Sequence, residues 1–251
     1  TAIISPPQNP FRCPPGPYER ASFFAEYFKN HNPTAKLIVL DPKERFTKDI
    51  PFKKAWERLY GFKTENALIE WVAGSEGGRV VGLDAANKTV ETDIGTIKAD
   101  LINIIPNQRA GVLAQKLGLT NSSGWCPVKR ETMESEIQEG VYVLGDSSIA
   151  DAMPKSGYSA NSQAKVCAQA VADTLKGKTP GTAIYSNVCY SLAGQNYGVS
   201  IAAIYEVKDG LIQPKGKSAG VSEITDKAAQ PILEAVYQKN WQREFVKDVF
   251  S

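Results

Sequence analysis

Cys13 lies in a proline-rich segment, PPQNPFRCPPGP, that occupies residues 6–17. Because prolines restrict the backbone, this loop can hold the sulfur at the edge of a cleft. A thiol that is accessible there can ionise and react as a thiolate. Glu19 follows six residues later, near the start of a predicted helix. The alternatives are that Cys13 fills a small core site and that Glu19 complements the helix dipole.

A second candidate site lies in residues 141–161, VYVLGDSSIADAMPKSGYSAN. An apolar strand is predicted over 141–144, with Gly145 and Asp146 at its end. A helix is predicted to open around residues 157–159, where its unpaired N–H groups and dipole suit the pyrimidine edge of a flavin. A carboxylate at the strand end can bind a sugar or ribityl hydroxyl. The pattern predicts an FAD site, against the alternative of a plain strand with an Asp cap; its residues are Gly145, Asp146, Lys155, Ser156, Gly157 and Tyr158.

Metal sites are not expected. The four cysteines, Cys13, Cys126, Cys167 and Cys189, are too far apart for zinc or iron–sulfur spacing. His31 is the single histidine, which excludes sites that need two His ligands and the Cys-x-x-Cys-His haem attachment motif. Cys167 lies on an alanine-rich predicted helix and is expected in the core, whereas the position of Cys126 is left open.

The first 40 residues predict a strand–helix–strand unit, typical of a nucleotide-binding half-domain. Strands are expected over 2–5 and 37–40, with a helix from residue 19 to about 30. The intervening loop has six prolines and one glycine instead of G-x-G-x-x-G, so few N–H groups remain for a pyrophosphate. We therefore predict an NAD-like domain that does not bind NAD. Asp41 stands where a ribose-binding acid often lies, but without the glycines it is a weak candidate.

The remaining pattern predicts further alternation of helices and strands. In the first half we expect a helix over 53–59, strands over 67–73 and 99–105, and a hairpin of 80–83 with 88–92. In the second half we expect a helix over 159–175 that approaches a neighbour through Ala160, Ala164, Ala168 and Ala172, a strand over 199–207 and a closing helix over 228–250. Chain breakers near 107 and at 177–181 divide the chain into domains 1–107, 108–180 and 181–251.

Composition limits the class of protein. The 251 residues are 42% hydrophobic and 22% charged, as in an ordinary globular protein, and the net charge of +2 argues against a nucleic-acid partner. No apolar run approaches the roughly 18–20 residues of a membrane span. The chain opens directly on a predicted strand, without a Met or a signal peptide, which indicates a processed or truncated chain. The alternative is a mature protein that begins with a strand.

Three segments together carry a family resemblance. FRCPPGPYERAS, GVYVLGDSSIADAMPKSGYSANSQAK and SNVCYS resemble the flavoprotein subunit of flavocytochrome c sulfide dehydrogenase, and the likeness runs through essentially the whole chain. The family implies an α/β, glutathione-reductase-like fold, here partial, with an α+β C-terminal interface domain. Residues 1–107 would be the inserted NAD-like domain, 108–180 the returning half of the FAD domain and 181–251 the interface domain.

The resemblance also implies cofactors and partners. The family's N-terminal FAD half, with its G-x-G-x-x-G and its flavin-linked cysteine, is not in this sequence, so it is expected upstream as a missing partner. Alone, this chain is expected to bind FAD poorly. Haem would be carried by a partner chain, a c-type cytochrome subunit, and the location would be periplasmic, in keeping with a disulfide.

A redox-active disulfide between Cys13 and Cys189 beside the flavin is implied in the same way. Hydrosulfide would open it by thiol–disulfide exchange, leaving a persulfide and a thiolate whose electrons pass to the flavin and then singly to haem. Glu19 would be the nearby acid or base. Trp241, in the closing helix, would form a wall over the flavin, with a core aromatic as the alternative.

Three other functions are alternatives. A sulfide:quinone oxidoreductase would use a membrane acceptor, but the charges of the closing helix balance around one apolar stripe (Ile232, Leu233, Val236, Tyr237, Trp241, Phe245 and Val249), which favours packing on protein. A non-catalytic fragment that docks a cytochrome is the second. A nicotinamide-dependent disulfide reductase is disfavoured by the proline-rich loop.

Overall fold

A computed structural model describes residues 1–222 and 229–250. The first part of the chain forms a four-stranded parallel sheet of order β3-β2-β1-β7, with helices α1 and α2 packed against it. The strands are short apolar runs, as expected for a sheet that is covered by helices. Their bounds are β1 Ala2–Ser5, α1 Gly16–His31, β2 Leu37–Leu40, α2 Asp49–Tyr60, β3 Ile69–Val72 and β7 Leu101–Ile104.

Aromatic side chains fill the space between this sheet and the two helices. Tyr18 stacks on Phe46 with ring centroids 3.7 Å apart, and Phe52 and Trp56 are fully buried beside them. Trp56 donates its indole N–H to the hydroxyl of Ser22 at 2.8 Å. This core fixes the start of α1, and therefore the loop that carries Cys13.

A three-stranded antiparallel sheet is inserted before the last parallel strand. The predicted hairpin is confirmed as β4 Val80–Asp84 with β5 Thr89–Thr92. A third strand, β6 Gly95–Lys98, pairs with β5 and was not predicted. Its four residues are largely exposed, so they lack the apolar alternation that marks a half-buried strand.

The prediction of a strand over 141–144 is wrong. This segment forms only an isolated bridge between Tyr142 and Glu134, and Val143 donates to the carbonyl oxygen of Met133. Val141, Tyr142 and Val143 are partly buried against two core clusters, whereas Leu144 is exposed. Burial therefore explains most of the apolar run. A strand also needs a neighbour that pairs with it over several residues, and this segment has one isolated bridge. Nearby elements are the short helix α3 Val112–Lys116 and a 3-10 turn at Gly145–Ser147.

Helix α4 spans Gly157–Leu175 and begins two residues before the predicted start. Its buried face is Ser159, Gln163, Cys167 and Ala170, not the predicted alanine row. Ala168 is exposed, and Ala160 lies close to the turn before the helix, where a Cβ on Gly145 would lie 3.2 Å from the Ala160 Cβ. Spacing alone could not tell which helix face packs.

The C-terminal part is an antiparallel sheet built around its longest strand. This strand, β9 Tyr197–Lys208, pairs with β8 along one edge and with two short strands along the other. The predicted strand over 199–207 is confirmed with extended ends. The other bounds are β8 Ile184–Gly194, β10 Leu211–Pro214 and β11 Gly220–Val221.

Helix α5, Ala229–Phe250, packs on β9, and its predicted start at residue 228 lies outside the described residues. The apolar stripe is not the buried face: Leu233, Val236 and Val249 are exposed, and Glu234 and Ala235 are buried. The reason is backbone proximity, since a Cβ on Gly198 would lie 2.4 Å from the Ala235 nitrogen. Among the described helices, none is long and apolar enough to cross a membrane.

The β8–β9 hairpin packs against the first part of the chain. Ala193 and Val199 belong to the same core cluster as Tyr18 and Trp56. The hydroxyl of Tyr60 at the end of α2 donates to the carbonyl oxygen of Ala193 at 2.7 Å. This packing brings β8 beside the N-terminal ends of α1 and α2.

Candidate functional site

Four side chains from distant parts of the sequence meet where β8 passes the starts of α1 and α2. They are Cys13 in the proline-rich loop, Glu19 in the first turn of α1, Lys48 immediately before α2, and Cys189 on β8. Lys48 Nζ lies 3.7 Å from the Cys189 Sγ, and Glu19 accepts from the backbone N–H of Leu192, three residues further along β8. The structure therefore brings together the three residues predicted to be catalytic and adds Lys48.

Cys13 is exposed, which removes the alternative of a buried core cysteine. Its backbone is in the left-handed region, with φ of 52°, an uncommon conformation for a residue with a side chain. Its N–H donates to the carbonyl oxygen of Lys155 at 2.7 Å, and its own carbonyl accepts from the Gly16 N–H at 2.8 Å. Desolvation of the thiol raises the pKa of Cys13, Cys189 and Glu19 raise it further, and Lys48 lowers it.

Glu19 is half-buried and reaches from α1 to β8. One carboxylate oxygen accepts from the backbone N–H of Leu192 at 2.6 Å. Burial raises the pKa of Glu19, whereas the Leu192 hydrogen bond and the charge of Lys48 lower it. Its position in the first helical turn agrees with a dipole role as well, because a residue can serve both.

Cys189 lies on the face of β8 that turns toward the rest of the protein. Alternate residues of this face are Tyr185, Asn187, Cys189, Ser191 and Ala193; all are buried except Cys189, which is half-buried. Burial raises the pKa of the Cys189 thiol, and the nearby ammonium group of Lys48 lowers it. Cys13 and Cys189 are both held as free thiols in the structure.

Lys48 is the functional candidate that the sequence did not reveal. Only 4% of it is exposed, and its backbone φ is 64°, so the side chain turns inward just before α2. Its Nζ donates to the Cys189 carbonyl oxygen at 2.9 Å and to the Ser191 hydroxyl at 2.7 Å, and lies 3.7 Å from the Cys189 Sγ. No spacing or composition signal marks it, because its partners lie more than 140 residues away.

Asn187 joins β8 to the first turn of α4. Its side-chain oxygen accepts from the hydroxyls of Ser156 at 2.7 Å and Ser159 at 3.2 Å. Ser156 caps α4 by accepting from the Ser159 N–H at 3.1 Å. Within the described residues, the N–H groups of Gly157 and Tyr158 have no acceptor. They are therefore open to an anionic or carbonyl ligand.

Gly145 and Asp146 lie at the same edge as this helix start. Gly145 has φ of 71°, and its N–H donates to the side-chain oxygen of the buried Gln163 at 2.6 Å. The Asp146 side chain is exposed, and no ion pair to it is found in the described part of the chain. The turn thus presents a carboxylate beside the α4 N-terminus.

The side chain of Lys155, a predicted cofactor-binding residue, contacts the turn that holds Gly145 and Asp146. Its Nζ donates to the carbonyl oxygens of Asp146 at 2.8 Å and Ser148 at 2.7 Å, and lies 3.9 Å from the centre of the Trp125 ring. Burial lowers the pKa of Lys155 to about 8, and the charge of Asp146 opposes this shift. Lys155 therefore braces the turn, and its carbonyl oxygen holds Cys13.

Trp241 reaches the helix start from α5. Its ring stacks on Tyr158 with centroids 6.3 Å apart and on Phe245 with centroids 5.1 Å apart. Trp241 is half-buried and stays outside the described core clusters. This argues against the alternative of a core aromatic and leaves an aromatic wall beside Gly157.

Other residues singled out in the sequence lie elsewhere. Asp41 is fully buried, where it accepts from the Tyr18 hydroxyl at 2.6 Å and pairs with Lys43 at 2.7 Å, so its carboxylate is satisfied within the protein. Cys167 is in the core as predicted, and Cys126 is buried. The described residues contain no cluster of three or more potential metal ligands.

Two family models match this chain. Residues 1–106 match the central part of the sulfide dehydrogenase [flavocytochrome c] flavoprotein chain, and residues 181–250 match the flavin-binding part of flavocytochrome c sulphide dehydrogenase. Together the matches cover well over half of the chain. The chain belongs to the flavocytochrome c sulfide dehydrogenase flavoprotein family.

One solved structure shares the fold of this flavoprotein chain, and a second matches it more weakly. A chain of the Tetrahymena thermophila mitochondrial ATP synthase composite tetramer matches with a TM-score of 0.63 at 15% identity, covering 99% of this chain and 59% of that one. An FAD-dependent pyridine nucleotide-disulphide oxidoreductase from Desulfovibrio vulgaris matches with a TM-score of 0.49 at 17% identity, covering 81% and 49%. The flavoprotein chain thus spans less than two thirds of the length of either structure, and at 15% identity the first match speaks only for the fold.

The residues at the α4 start suit a flavin. The family's C-terminal part is described as flavin-binding. Here the structure offers two unpaired N–H groups, an exposed carboxylate at Asp146 and an aromatic wall at Tyr158 and Trp241. The N–H groups suit the carbonyl oxygens of a flavin, the carboxylate suits its ribityl hydroxyls, and the aromatic side chains suit the face of its ring. The residues at this helix start therefore fit FAD.

Proposed function

We propose that this chain forms part of a flavoprotein that oxidises hydrosulfide through a Cys13–Cys189 disulfide beside FAD, with a c-type cytochrome as final acceptor. One observation carries the proposal: both cysteines are tied to the N-terminus of α4. Cys13 donates its N–H to Lys155, next to the Ser156 cap. Cys189 lies two residues from Asn187, which binds that cap on the same face of β8.

The disulfide step is an exchange reaction. Hydrosulfide attacks one sulfur, a new S–S bond forms there, and the Cys13–Cys189 bond breaks. The bonding pair leaves with the other sulfur, so the products are one persulfide and one thiolate. The negative charge of hydrosulfide is conserved in the thiolate, and no further reactant is needed.

FAD would be held at the α4 start. Gly157 and Tyr158 would donate backbone N–H groups to its pyrimidine edge, Asp146 would accept from a ribityl hydroxyl, and Trp241 would pack beside the ring. When bound, FAD supplies an acceptor for an electron pair that can be passed on singly to a haem. The role of this chain is to hold the sulfurs of Cys13 and Cys189 at one end of the FAD site.

Glu19 is the proton-holding group of the site. Its carboxyl influences the thiols of Cys13 and Cys189, and its raised pKa brings proton binding closer to neutrality. It can therefore take the proton of hydrogen sulfide as the nucleophile forms. The Leu192 N–H fixes one carboxylate oxygen, so the proton would be held on the other.

The domain assignment follows the same proposal. Residues 1–107 act as a NAD-like domain that presents Cys13, 108–180 as part of the FAD domain, and 181–251 as the interface domain that presents Cys189. A periplasmic location fits an enzyme that works through a disulfide and delivers electrons to a c-type cytochrome.

The experiment is thiol mapping before and after sulfide. The air-oxidised chain is unfolded in an alkylating reagent, digested without reduction and analysed by mass spectrometry. We expect a linked Cys13–Cys189 peptide, with Cys126 and Cys167 alkylated. After anaerobic addition of hydrosulfide, the link should be replaced by one alkylated thiol and one alkylated persulfide.

Two variants serve as controls. Cys167→Ser should leave the linked peptide and its opening unchanged, because Cys167 is a core residue away from the site. Cys189→Ser should abolish both. Alkylation of Cys13 and Cys189 as thiols in the air-oxidised wild-type protein would overturn the proposed disulfide chemistry.

A further inference from the structure

We propose that Lys48 is a positioning residue that directs the polarity of disulfide opening, so that Cys189 leaves as the thiolate and hydrosulfide adds to Cys13. This inference rests on the proposed function and deepens it. It names the sulfur that becomes the persulfide, which no sequence pattern reveals.

The first support is the fixed place of the ammonium group. Lys48 Nζ binds three groups of the β8–β9 hairpin: the carbonyl oxygens of Cys189 and Val199, and the hydroxyl of Ser191. Burial and these bonds leave the side chain little freedom. Its Nζ is therefore held 3.7 Å from the Cys189 Sγ, within the range of a sulfur hydrogen bond.

The second support is the balance of charges around the Lys48 ammonium group. In the described parts of the chain, no carboxylate forms an ion pair with Lys48, and Glu19 is bound to Leu192 instead. A buried ammonium without a counter-ion is costly, so a negative charge at contact distance stabilises it. Burial lowers the pKa of Lys48, and the charges of Cys189 and Glu19 raise it. A Cys189 thiolate supplies the missing counter-ion.

The third support is the asymmetry between the two sulfurs. Cys13 is exposed in the loop, whereas Cys189 is half-buried against Lys48. Lys48 makes no hydrogen bond to Cys13 among the described contacts and acts on it only at longer range. The accessible sulfur is thus the one to be attacked, and the sulfur beside the cation is the better leaving group.

The resulting step is balanced. Hydrosulfide forms an S–S bond with Cys13 Sγ, the Cys13–Cys189 bond breaks, and its electron pair stays on Cys189 Sγ. Cys13 becomes the persulfide, and the Cys189 thiolate pairs with the Lys48 ammonium. Lys48 stabilises the thiolate through its charge at contact distance and transfers no proton.

The test uses Cys13→Ser variants, in which Cys189 has no disulfide partner and sulfide is not needed. The rate of Cys189 alkylation is measured against pH with Lys48 intact, with Lys48→Met and with Lys48→Arg. We expect Lys48→Met to shift the profile toward alkaline pH by at least about one unit, a roughly tenfold slower reaction near neutrality. Lys48→Arg should restore most of the rate, because it retains the charge.

Matched controls separate electrostatics from folding. Lys54→Met removes an exposed lysine of the same helix and should leave the profile unchanged. Circular dichroism and thermal melting show whether Lys48→Met is folded; if it is not, the mapped position of the persulfide in the two-cysteine protein, described next, carries the test. An unchanged Cys189 profile in folded Lys48→Met overturns the inference.

A second measurement distinguishes this inference from the proposed function. In the two-cysteine protein, the persulfide formed by hydrosulfide is trapped and mapped. A persulfide on Cys13 supports the inference, and one on Cys189 overturns it while the proposed function stands. If no disulfide forms or none opens, the proposed function fails, and the alkylation profile still decides the role of Lys48.

Discussion

The side-chain oxygen of Asn187 lies 2.7 Å from the hydroxyl of Ser156 and 3.2 Å from that of Ser159. Asn187 is 1% exposed and stands two residues before Cys189 on β8. One buried amide thus ties the strand that carries a reactive thiol to the helix start that carries the candidate flavin donors.

Replacement of this amide should loosen both elements. In Asn187→Ala, the buried Ser159 hydroxyl loses its acceptor, and we expect unfolding by urea to show a loss of about 1–3 kcal/mol. Asn66→Ala, at an exposed loop position, should change the free energy of unfolding by no more than about 0.5 kcal/mol. Equal effects of the two substitutions would contradict a bracing role for Asn187.

Glu19 should make stability depend on pH. Burial raises its pKa above the ordinary value of 4.5, so the folded state holds the proton more tightly than the unfolded state. Its contribution is therefore fully present below about 4.5 and is lost as the pH rises through the raised value. Glu19→Gln keeps an acceptor for the Leu192 N–H but does not ionise.

The measurement compares the free energies of unfolding of wild type and Glu19→Gln at several pH values. Wild type should lose stability relative to the variant as the pH rises from about 4 toward neutrality. Glu19→Ala, which also removes the acceptor, should be less stable than Glu19→Gln by about 1–3 kcal/mol. Parallel pH curves for wild type and Glu19→Gln would refute the raised pKa.

Lys155 should act in the opposite direction at high pH. Its pKa falls to about 8 in the folded state because of burial, against an ordinary value of 10.5. Between these values the unfolded state holds more protons, so stability rises with pH. At about 1.4 kcal/mol per pKa unit, reduced by solvent screening, wild type should gain about 1–2 kcal/mol relative to Lys155→Met. A constant difference between the two proteins across this range would contradict the prediction.

Gly145 should tolerate a side chain poorly. Its φ of 71° disfavours other residues, and a Cβ would lie 3.2 Å from the Ala160 Cβ. We expect Gly145→Ala to cost about 1–2 kcal/mol in thermal or urea unfolding. The double variant Gly145→Ala with Ala160→Gly should relieve the contact between the two Cβ atoms but keep the backbone strain at residue 145. Gly157→Ala is the matched control, because its Cβ would meet Phe245 at an ordinary 3.7 Å. If Gly157→Ala lowers the free energy of unfolding as much as Gly145→Ala does, backbone strain at Gly145 does not cause the loss.

Local sequence patterns were sufficient where short-range physics sets the structure. The strands at Ala2–Ser5 and Leu37–Leu40 are confirmed to the residue. A strand of a parallel sheet is buried on both faces, so its sequence is a short continuous apolar run that turn residues delimit. The start of α4 at Gly157 lies within the predicted opening at 157–159. The patterns failed at residues 141–144 and on α5, where burial and backbone approach depend on what lies opposite.

By itself the sequence determined which residue types are available for chemistry: Cys13 in a rigid loop, Cys189 in a segment for which no element was predicted, and the glycine and aspartate of the candidate flavin turn. Only the tertiary structure decided that Lys48 joins them. Its partners on β8 and β9 are brought near by packing of the hairpin on α1 and α2, through Ala193, Val199 and Tyr60. Such contacts span more than 130 residues, and no local propensity encodes them.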